Sequence, residues 1–267
     1  MLPFQHPGSI GVFDSGIGGL TVANAISTLL PRESLLYVAD NARAPYGPRP
    51  AAEIRAFSFA ITRALLRAGA KLIVVACNTA TSVAIDELRA TWPDVLFVGT
   101  EPAVKPAAAG RAVLVMATEA TLASRRYREL RARYLADRRV WENPCRGLVP
   151  LIEAGDSSTR GFLRDVLAEP LAGGVDTIVL GCTHYPLIGE QIRELAGDGV
   201  TVIDPAGGAA AQVQRLLTRH GLTADSGNGP PAHRFHCSRA LAPLQRTLYA
   251  LPRLNAHRRW LAPAPVL

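Results

Sequence analysis

The chain has 267 residues, of which 48% are hydrophobic and 19% are charged, and these proportions are typical of a globular protein. Its apolar runs are shorter than the roughly 18–20 residues of a membrane helix, and its first residues lack the pattern of a signal peptide. We therefore expect no membrane partner and a cytoplasmic location, where thiols stay reduced.

A formal net charge of +7 raises the question of a nucleic-acid partner. Lysines occur only as Lys71 and Lys105, however, so nearly all of the positive charge is arginine. The densest basic segment, residues 125–133, has the pattern of a solvated helix face, and we do not favour a nucleic-acid partner. Lys71 lies at the start of a predicted strand and Lys105 precedes a proline, which disfavours a pyridoxal phosphate cofactor.

The first hundred residues alternate predicted strands with predicted helices. Strands are predicted over residues 9–13, 35–39 and 95–98, and another ends at Cys77. Helices are predicted over residues 20–30, 50–69 and from Cys77 to about residue 90. Between them, the proline-rich segment 40–50 is predicted to form a loop.

The pattern then starts again. Strands are predicted over residues 111–117, 140–141, 177–180 and 200–203, with 140–141 at a sheet edge. Residues 118–121 form a predicted polar turn, and helices are predicted over 122–135 and 155–171. Further on we expect a helix over 206–220, a loop over 221–231, a strand over 233–237, a helix from about 241 and a disordered tail over 261–267.

The two halves repeat one arrangement of polar residues. Asp14 lies 63 positions before Cys77, and Thr118 lies 64 positions before Cys182. In each half a polar turn follows the first strand and a cysteine follows the third. The repetition predicts two similar open parallel-sheet α/β domains facing each other across a cleft. Ligands bind beyond the carboxyl ends of parallel strands, so both cysteines should reach that cleft.

Cys77 and Cys182 each follow a strand and begin a predicted helix. A free cysteine is most often a small buried hydrophobe, but unpaired N–H groups at a helix N-terminus favour a thiolate. The matching positions favour a function for both thiols. Without any Cys-x-x-Cys motif we expect no metal site. Cys145 and Cys237 lack the strand-end setting and are interpreted as packing residues.

Asp14 and Ser15 occupy the first strand end, where a helix-capping role is as common as a catalytic one. The following segment Gly-Ile-Gly-Gly fits neither G-x-G-x-x-G nor the lysine-bearing P-loop, so nucleotide binding is the weaker alternative.

Two further side chains are candidates. His184 follows Cys182 by two positions, close enough to assist it, although a lone histidine is more often structural. Glu153 taken by itself has the setting of a surface carboxylate.

Five motifs occur in order between residues 9 and 205: Gly11–Thr21, Pro45–Arg49, Ala76–Ala80, Leu148–Glu153 and Leu180–Pro186. Together they resemble the motifs of the glutamate racemase family, within the aspartate/glutamate racemase superfamily. The resemblance implies a cofactor-independent isomerase that interconverts L- and D-glutamate and supplies D-glutamate for peptidoglycan. It also implies a homodimer.

By this resemblance, Cys77 and Cys182 would serve opposite faces of the substrate α-carbon. Asp14 matches the acid that assists the first cysteine, while His184 and Glu153 match the groups that assist the second. The positions that match substrate-binding residues of the family are Asp14, Ser15, Pro45, Tyr46, Gly47, Asn78, Thr79, Thr118, Thr121, Thr183 and His184.

The family's domains are discontinuous, so the resemblance implies a first domain of residues 1–99 plus 206–267 and a second of residues 100–205. Residues 236–239 and 253–267 depart from the family pattern. Two alternatives remain open: a racemase for aspartate or a hydantoin, and a non-catalytic module that binds a small acid.

Overall fold

A computed structural model describes residues 8–224, 230–239 and 241–263. The strands in this part of the chain are β1 (Ile10–Asp14), β2 (Leu35–Ala39), β3 (Leu72–Val75), β4 (Leu96–Gly99), β5 (Ala112–Ala117), β6 (Arg139–Asn143), β7 (Thr177–Gly181), β8 (Thr201–Ile203), β9 (His233–Cys237) and β10 (Arg258–Pro263).

The helices over the same residues are α1 (Leu20–Leu29), α2 (Ala51–Arg67), α3 (Asn78–Thr91), α4 (Val104–Ala107), α5 (Glu119–Ala123), α6 (Arg125–Tyr134), α7 (Leu148–Ala154), α8 (Thr159–Ala172), α9 (Gly189–Ala196), α10 (Ala206–Arg219), α11 (Ala242–Tyr249) and α12 (Pro252–Ala256). One turn of 3₁₀ helix, Tyr185–Ile188, precedes α9.

The strands form two parallel sheets. The first has the order β10-β9-β2-β1-β3-β4, and the second has the order β6-β5-β7-β8. Four strands of the first sheet, β2-β1-β3-β4, therefore repeat the order of the second. The predicted fold class of two similar parallel-sheet α/β units is confirmed, with β9 and β10 added beside β2.

Both sheets are covered on their two faces. Every residue of β1, β2, β3, β5 and β7 is buried, as expected for parallel strands made of unbroken apolar runs. In the first sheet, one core contains side chains of α1 and α10, and the opposite core contains side chains of α2 and α3. The edge strand β6 is only partly buried, which agrees with its predicted edge position.

The chain crosses between the sheets twice. It leaves the first sheet after β4, builds the second sheet, and returns after β8 into α10, which packs against α1. The discontinuous domain boundaries given above, 1–99 plus 206–267 and 100–205, stay a prediction.

The segment between β5 and β6 differs from the prediction. The predicted polar turn 118–121 lies in the start of α5, with Thr118 as its N-cap, and the predicted helix 122–135 is broken at Ser124. Ser124 has an extended ψ of 145°, and its side chain accepts a hydrogen bond from the Tyr127 N–H. A new helix therefore starts at Ser124, because serine is a favourable N-cap.

The helix predicted over 155–171 begins later, at Thr159. Gly155 is instead the left-handed C-cap of the short helix α7, with φ 68°, and glycine adopts this conformation without a steric penalty. The structure thus places Glu153 on a helix that was not predicted.

The C-terminal tail also differs from the prediction. Residues 261–263 belong to β10, which pairs with β9, so the prediction of disorder is wrong for them. Residues 264–267 lie outside the described part of the chain, as do 225–229 of the predicted loop. Among the described residues, no helix combines the length and the apolar character needed to cross a bilayer.

His233, on β9, makes the stability of the fold depend on pH. Burial, and then the charge of His257, lower the pKa of His233 from an ordinary 6.5 to about 4. Its Nε2 lies 3.2 Å from Ser27 Oγ. Because the unfolded chain takes up the proton first, His233 stabilises the fold above pH 6.5, and this contribution is lost as the pH falls towards 4.

We expect the variant His233→Phe to lose less stability than the wild type between pH 7 and 4.5, by about 2–3 kcal/mol. Denaturant unfolding at a series of pH values measures this difference in the free energy of unfolding. His220→Gln, at the exposed end of α10, is the matched control and should follow the wild-type curve. Parallel curves for His233→Phe and the wild type would contradict the assignment.

Candidate active site

The carboxyl ends of neighbouring strands bring the candidate residues together. Asp14 ends β1, and Cys77 follows the adjacent strand β3. In the second sheet, Thr118 follows β5 and Cys182 follows the adjacent strand β7. Each pair flanks the place where the strand order reverses, which is the usual ligand position in open α/β sheets.

A cavity with about 280 Å³ of empty space lies between the two strand-end regions. Cys77 and Cys182 both line it, and both are free thiols. The prediction that the two cysteines reach one cleft is therefore confirmed. The other lining residues are Ser15, Pro45, Tyr46, Gly47, Asn78, Thr79, Thr118, Val149, Thr183 and His184.

Cys77 is the N-cap of α3. Its Sγ accepts a hydrogen bond from the Ala80 N–H at 3.4 Å and donates one to Ser15 Oγ at 3.7 Å. Burial, and then the charge of the nearby Asp14 carboxyl, raise the pKa of the Cys77 thiol to about 12. The resting Cys77 therefore carries its proton at neutral pH.

Asp14 lies behind the cavity lining and links the two halves of the molecule. Its Oδ2 accepts a hydrogen bond from the Gly16 N–H at 3.0 Å, and its Oδ1 accepts one from Thr183 Oγ1 at 3.2 Å. Burial raises the pKa of Asp14 above its ordinary value. Asp14 acts on Cys77 through charge, and the hydroxyl of Ser15 is the side chain that contacts the Cys77 sulfur.

Cys182 begins a chain of three side chains. Its Sγ lies 3.8 Å from His184 Nδ1, and His184 Nε2 lies 2.8 Å from Glu153 Oε1. Glu153 Oε1 also accepts the N–H of Ile17, from the first sheet's side, at 3.4 Å. The carboxylate that sequence alone would place on the surface therefore orients the imidazole next to Cys182.

Burial and hydrogen bonding shift the pKa values of His184 and Glu153 in opposite directions. Burial lowers the pKa of His184, but its hydrogen bonds to Cys182 and Glu153 outweigh burial and raise the pKa to about 10. Burial raises the pKa of Glu153, but the hydrogen bond and charge of His184 outweigh it and leave the pKa lowered. At neutral pH the imidazole is protonated and can donate a hydrogen bond to the Cys182 sulfur.

Neutral hydrogen-bonding groups complete the lining. Thr118 Oγ1 lies 2.8 Å from Thr79 Oγ1 and 2.9 Å from Thr121 Oγ1, so this row of hydroxyls joins the two halves. Thr121 itself lies behind the lining.

The Asn78 side chain is 2% exposed, and among the described residues neither its Oδ1 nor its Nδ2 has a partner. A buried amide without partners costs free energy, which a polar ligand in the cavity would recover.

Sequence reasoning missed two residues that shape the site. Val149, on α7, lines the cavity as its apolar wall. Asp40 is buried and accepts a hydrogen bond from the Tyr46 hydroxyl at 2.5 Å, which fixes the loop that carries Pro45 and Gly47. Asp40 could have been identified from its position directly after β2, since polar residues at the carboxyl ends of parallel strands face the site.

The Glu153–His184 pair gives a direct test of the site's electrostatics. Replacing Glu153 by glutamine removes the negative charge, so the pKa of His184 should fall from about 10 by about 1–3. NMR titration of labelled imidazoles measures this pKa, and the variant His184→Gln assigns the signal. Glu194→Gln changes an exposed carboxylate paired with Arg160 and should leave the titration unchanged. An unaltered His184 titration in Glu153→Gln would contradict the pairing.

Comparison with known proteins agrees with this geometry. A sequence model described as Asp/Glu/Hydantoin racemase matches residues 10–213. A glutamate racemase of Ectopseudomonas mendocina is 48% identical over 226 residues, which are 82% of this chain and 86% of that protein. A glutamate racemase of Cupriavidus pinatubonensis is 42% identical over 272 residues and 99% of both chains.

Among solved structures, Escherichia coli glutamate racemase, in complex with L-glutamate and the activator UDP-MurNAc-ala, superposes with a TM-score of 0.84. It is 30% identical, and the match covers 98% of this chain and 100% of that one. With two parallel sheets of this order, two thiols in one cavity and these relatives, the chain belongs to the glutamate racemase family, within the Asp/Glu/hydantoin racemases.

Proposed function

We propose that this protein interconverts L- and D-glutamate by proton transfer between two thiols, without a cofactor. One observation carries the proposal: Cys77 and Cys182, supplied by different sheets, line the same small cavity as free thiols. A substrate α-carbon between two such groups can lose its proton to the thiolate on one face, and the planar carbanion that forms can gain a proton from the thiol on the other face.

The proton balance of the reaction is simple. On one face the Cα–H bond breaks and a new S–H bond forms on the cysteine that is the thiolate. On the other face an S–H bond breaks and a new Cα–H bond forms with inverted configuration. The two cysteines have then exchanged protonation states, and the reverse reaction starts from that state.

The surroundings of each sulfur suit these roles. Cys77, with its pKa raised to about 12, donates its proton when Cys182 is the base. The protonated His184 supplies a hydrogen bond to the Cys182 thiolate, and Glu153 holds the ring in place. In the other direction, the N-terminus of α3 and the Ser15 hydroxyl support the Cys77 thiolate.

Two acids or bases do not supply the whole rate enhancement. One positioned acid or base contributes roughly 10²–10⁴ in rate, so two contribute about 5–11 kcal/mol of the roughly 8–23 that enzymes provide. The remainder comes from stabilising the charge that develops on the α-carboxylate. The unpaired amide of Asn78 and the hydroxyls of Thr79 and Thr183 are the lining groups suited to it.

The matched relatives narrow the substrate class. Glutamate is favoured over aspartate because the relatives at 48% and 42% identity are glutamate racemases, whereas an aspartate racemase of Picrophilus torridus is 18% identical. A glutamate racemase of Francisella tularensis, which covers 97% of this chain, was solved in complex with D-glutamate.

The family resemblance extends the proposal beyond the reaction. We infer a cytoplasmic homodimer that supplies D-glutamate for peptidoglycan. Sedimentation of the purified protein measures the oligomeric state directly.

Incubation with each enantiomer of glutamate and of aspartate in heavy water, without added cofactor and with a metal chelator, tests the reaction. We expect racemisation of glutamate with deuterium incorporated at Cα, followed by circular dichroism and mass spectrometry. Racemisation of aspartate in its place would favour the alternative racemase. Failure of both substrates to exchange their α-proton would refute a glutamate or aspartate racemase and leave a hydantoin racemase or the non-catalytic binding module.

Removing either catalytic thiol should lower kcat by about 10²–10⁴, because the reaction needs an acid and a base on opposite faces. The variants are Cys77→Ala and Cys182→Ala, assayed by the same deuterium exchange. Cys237→Ala is the matched control, since this buried free cysteine ends β9 and does not line the cavity. Near wild-type racemisation by either active-site variant would refute the two-thiol mechanism.

A further inference from the structure

The glycine turn between β1 and α1 has no role in the reaction as described so far. It contains Gly16, Gly18 and Gly19, and its sequence only loosely resembles a phosphate loop. None of these three glycines has a positive φ, so backbone conformation does not require glycine at these positions. The reason for glycine at these positions must therefore be a lack of room for a side chain.

The space around Gly16 and Gly18 is taken by the second sheet's catalytic groups. A Cβ atom built on Gly16 would lie 2.2 Å from Glu153 Oε1 and 3.2 Å from His184 Nε2. A Cβ atom built on Gly18 would lie 2.5 Å from His184 Nδ1 and 2.6 Å from Thr183 Oγ1. It would also lie 2.7 Å from the backbone nitrogen of His184, which cannot move away as a flexible side chain can.

Hydrogen bonds also join the glycine turn to the residues that it packs against. The N–H of Ile17 donates to Glu153 Oε1, and Thr21 Oγ1 donates to the Thr183 carbonyl at 3.3 Å as well as to the Gly18 carbonyl at 2.9 Å. The turn thus contacts Glu153, which is hydrogen-bonded to the His184 ring, and Thr183, which precedes His184 in the sequence. These contacts join a segment of the first sheet's half to residues that follow β7 and to α7.

We propose that Gly16 and Gly18 are positioning residues that hold the Glu153–His184 pair in register with the Cys182 sulfur. Their missing side chains let the turn pack directly on the two polar groups, and Ile17 and Thr21 add hydrogen bonds that fix them. The pair is therefore complete only when both halves of the molecule meet at this turn. The catalytic meaning of this arrangement rests on the proposed two-thiol reaction.

The variant Gly18→Ala tests the inference. The added methyl group must displace the start of the His184 segment, so kcat should fall about 100-fold while KM changes far less. The displacement also lengthens the contacts of His184 with Cys182 and Glu153, so the pKa of its imidazole should fall from about 10. Steady-state kinetics and NMR titration of His184 measure the two effects.

Gly161→Ala is the matched control. Gly161 lies in α8, and a Cβ atom there meets nothing within 4 Å, so its kinetics and His184 titration should equal those of the wild type. If Gly18→Ala does not fold, Thr21→Val replaces it, because it deletes the hydrogen bonds of the Thr21 hydroxyl to the Thr183 and Gly18 carbonyls with little change in side-chain shape. The effects should then have the same direction and a smaller size.

Wild-type kcat together with an unchanged His184 titration in the folded variant would overturn the inference. So would an equal change in Gly161→Ala. The His184 titration is measured in the resting protein, so it tests the positioning of His184 even if the protein does not racemise glutamate. Failure to racemise glutamate would refute the proposed function instead.

Discussion

The site depends on one geometric constraint: two parallel sheets must present the carboxyl ends of their central strands to each other. Neighbouring strands β1 and β3 in one sheet, and β5 and β7 in the other, then place polar residues at facing edges. Because a strand end fixes the position of the residue that follows it, each thiol is held by a rigid scaffold. Precision of this kind is what proton transfer to and from a single carbon requires.

The two halves share a strand order but differ in charge. Around Cys77 the neighbours are the Ser15 hydroxyl, the end of a helix and the buried carboxyl of Asp14. Around Cys182 the neighbour is the His184 imidazole, whose pKa is raised by its hydrogen bonds to Cys182 and Glu153. Environments that separate the protonation states of paired groups are a general route to an acid and a base in one site. Here the asymmetry arises from side chains added to a repeated backbone.

The central strands and the meeting of the two cysteines could be predicted from the sequence, because they depend on local patterns of residues. Unbroken apolar runs predicted the central strands. The nearly equal spacings from Asp14 to Cys77 and from Thr118 to Cys182 predicted that the two cysteines meet in one cleft. Long-range packing decided what could not be predicted. Glu153 by itself had the setting of a surface residue, so only the family resemblance implied its role. The contacts of Glu153 with His184 and with the Ile17 N–H give the physical reason for that role. Residues 261–263 pair with β9 although their own sequence is rich in proline and alanine.

The double crossing between the sheets has a mechanical consequence. The second sheet's half is inserted between β4 and α10, so two covalent connections, residues 100–103 and 204–205, tether it to the first. Both connections line one further pocket, so the two crossings lie side by side. Covalent linkage therefore joins the halves at one place, and the hydrogen bonds across the cavity, from Ile17 to Glu153 and between Thr79 and Thr118, fix the register of the facing side chains.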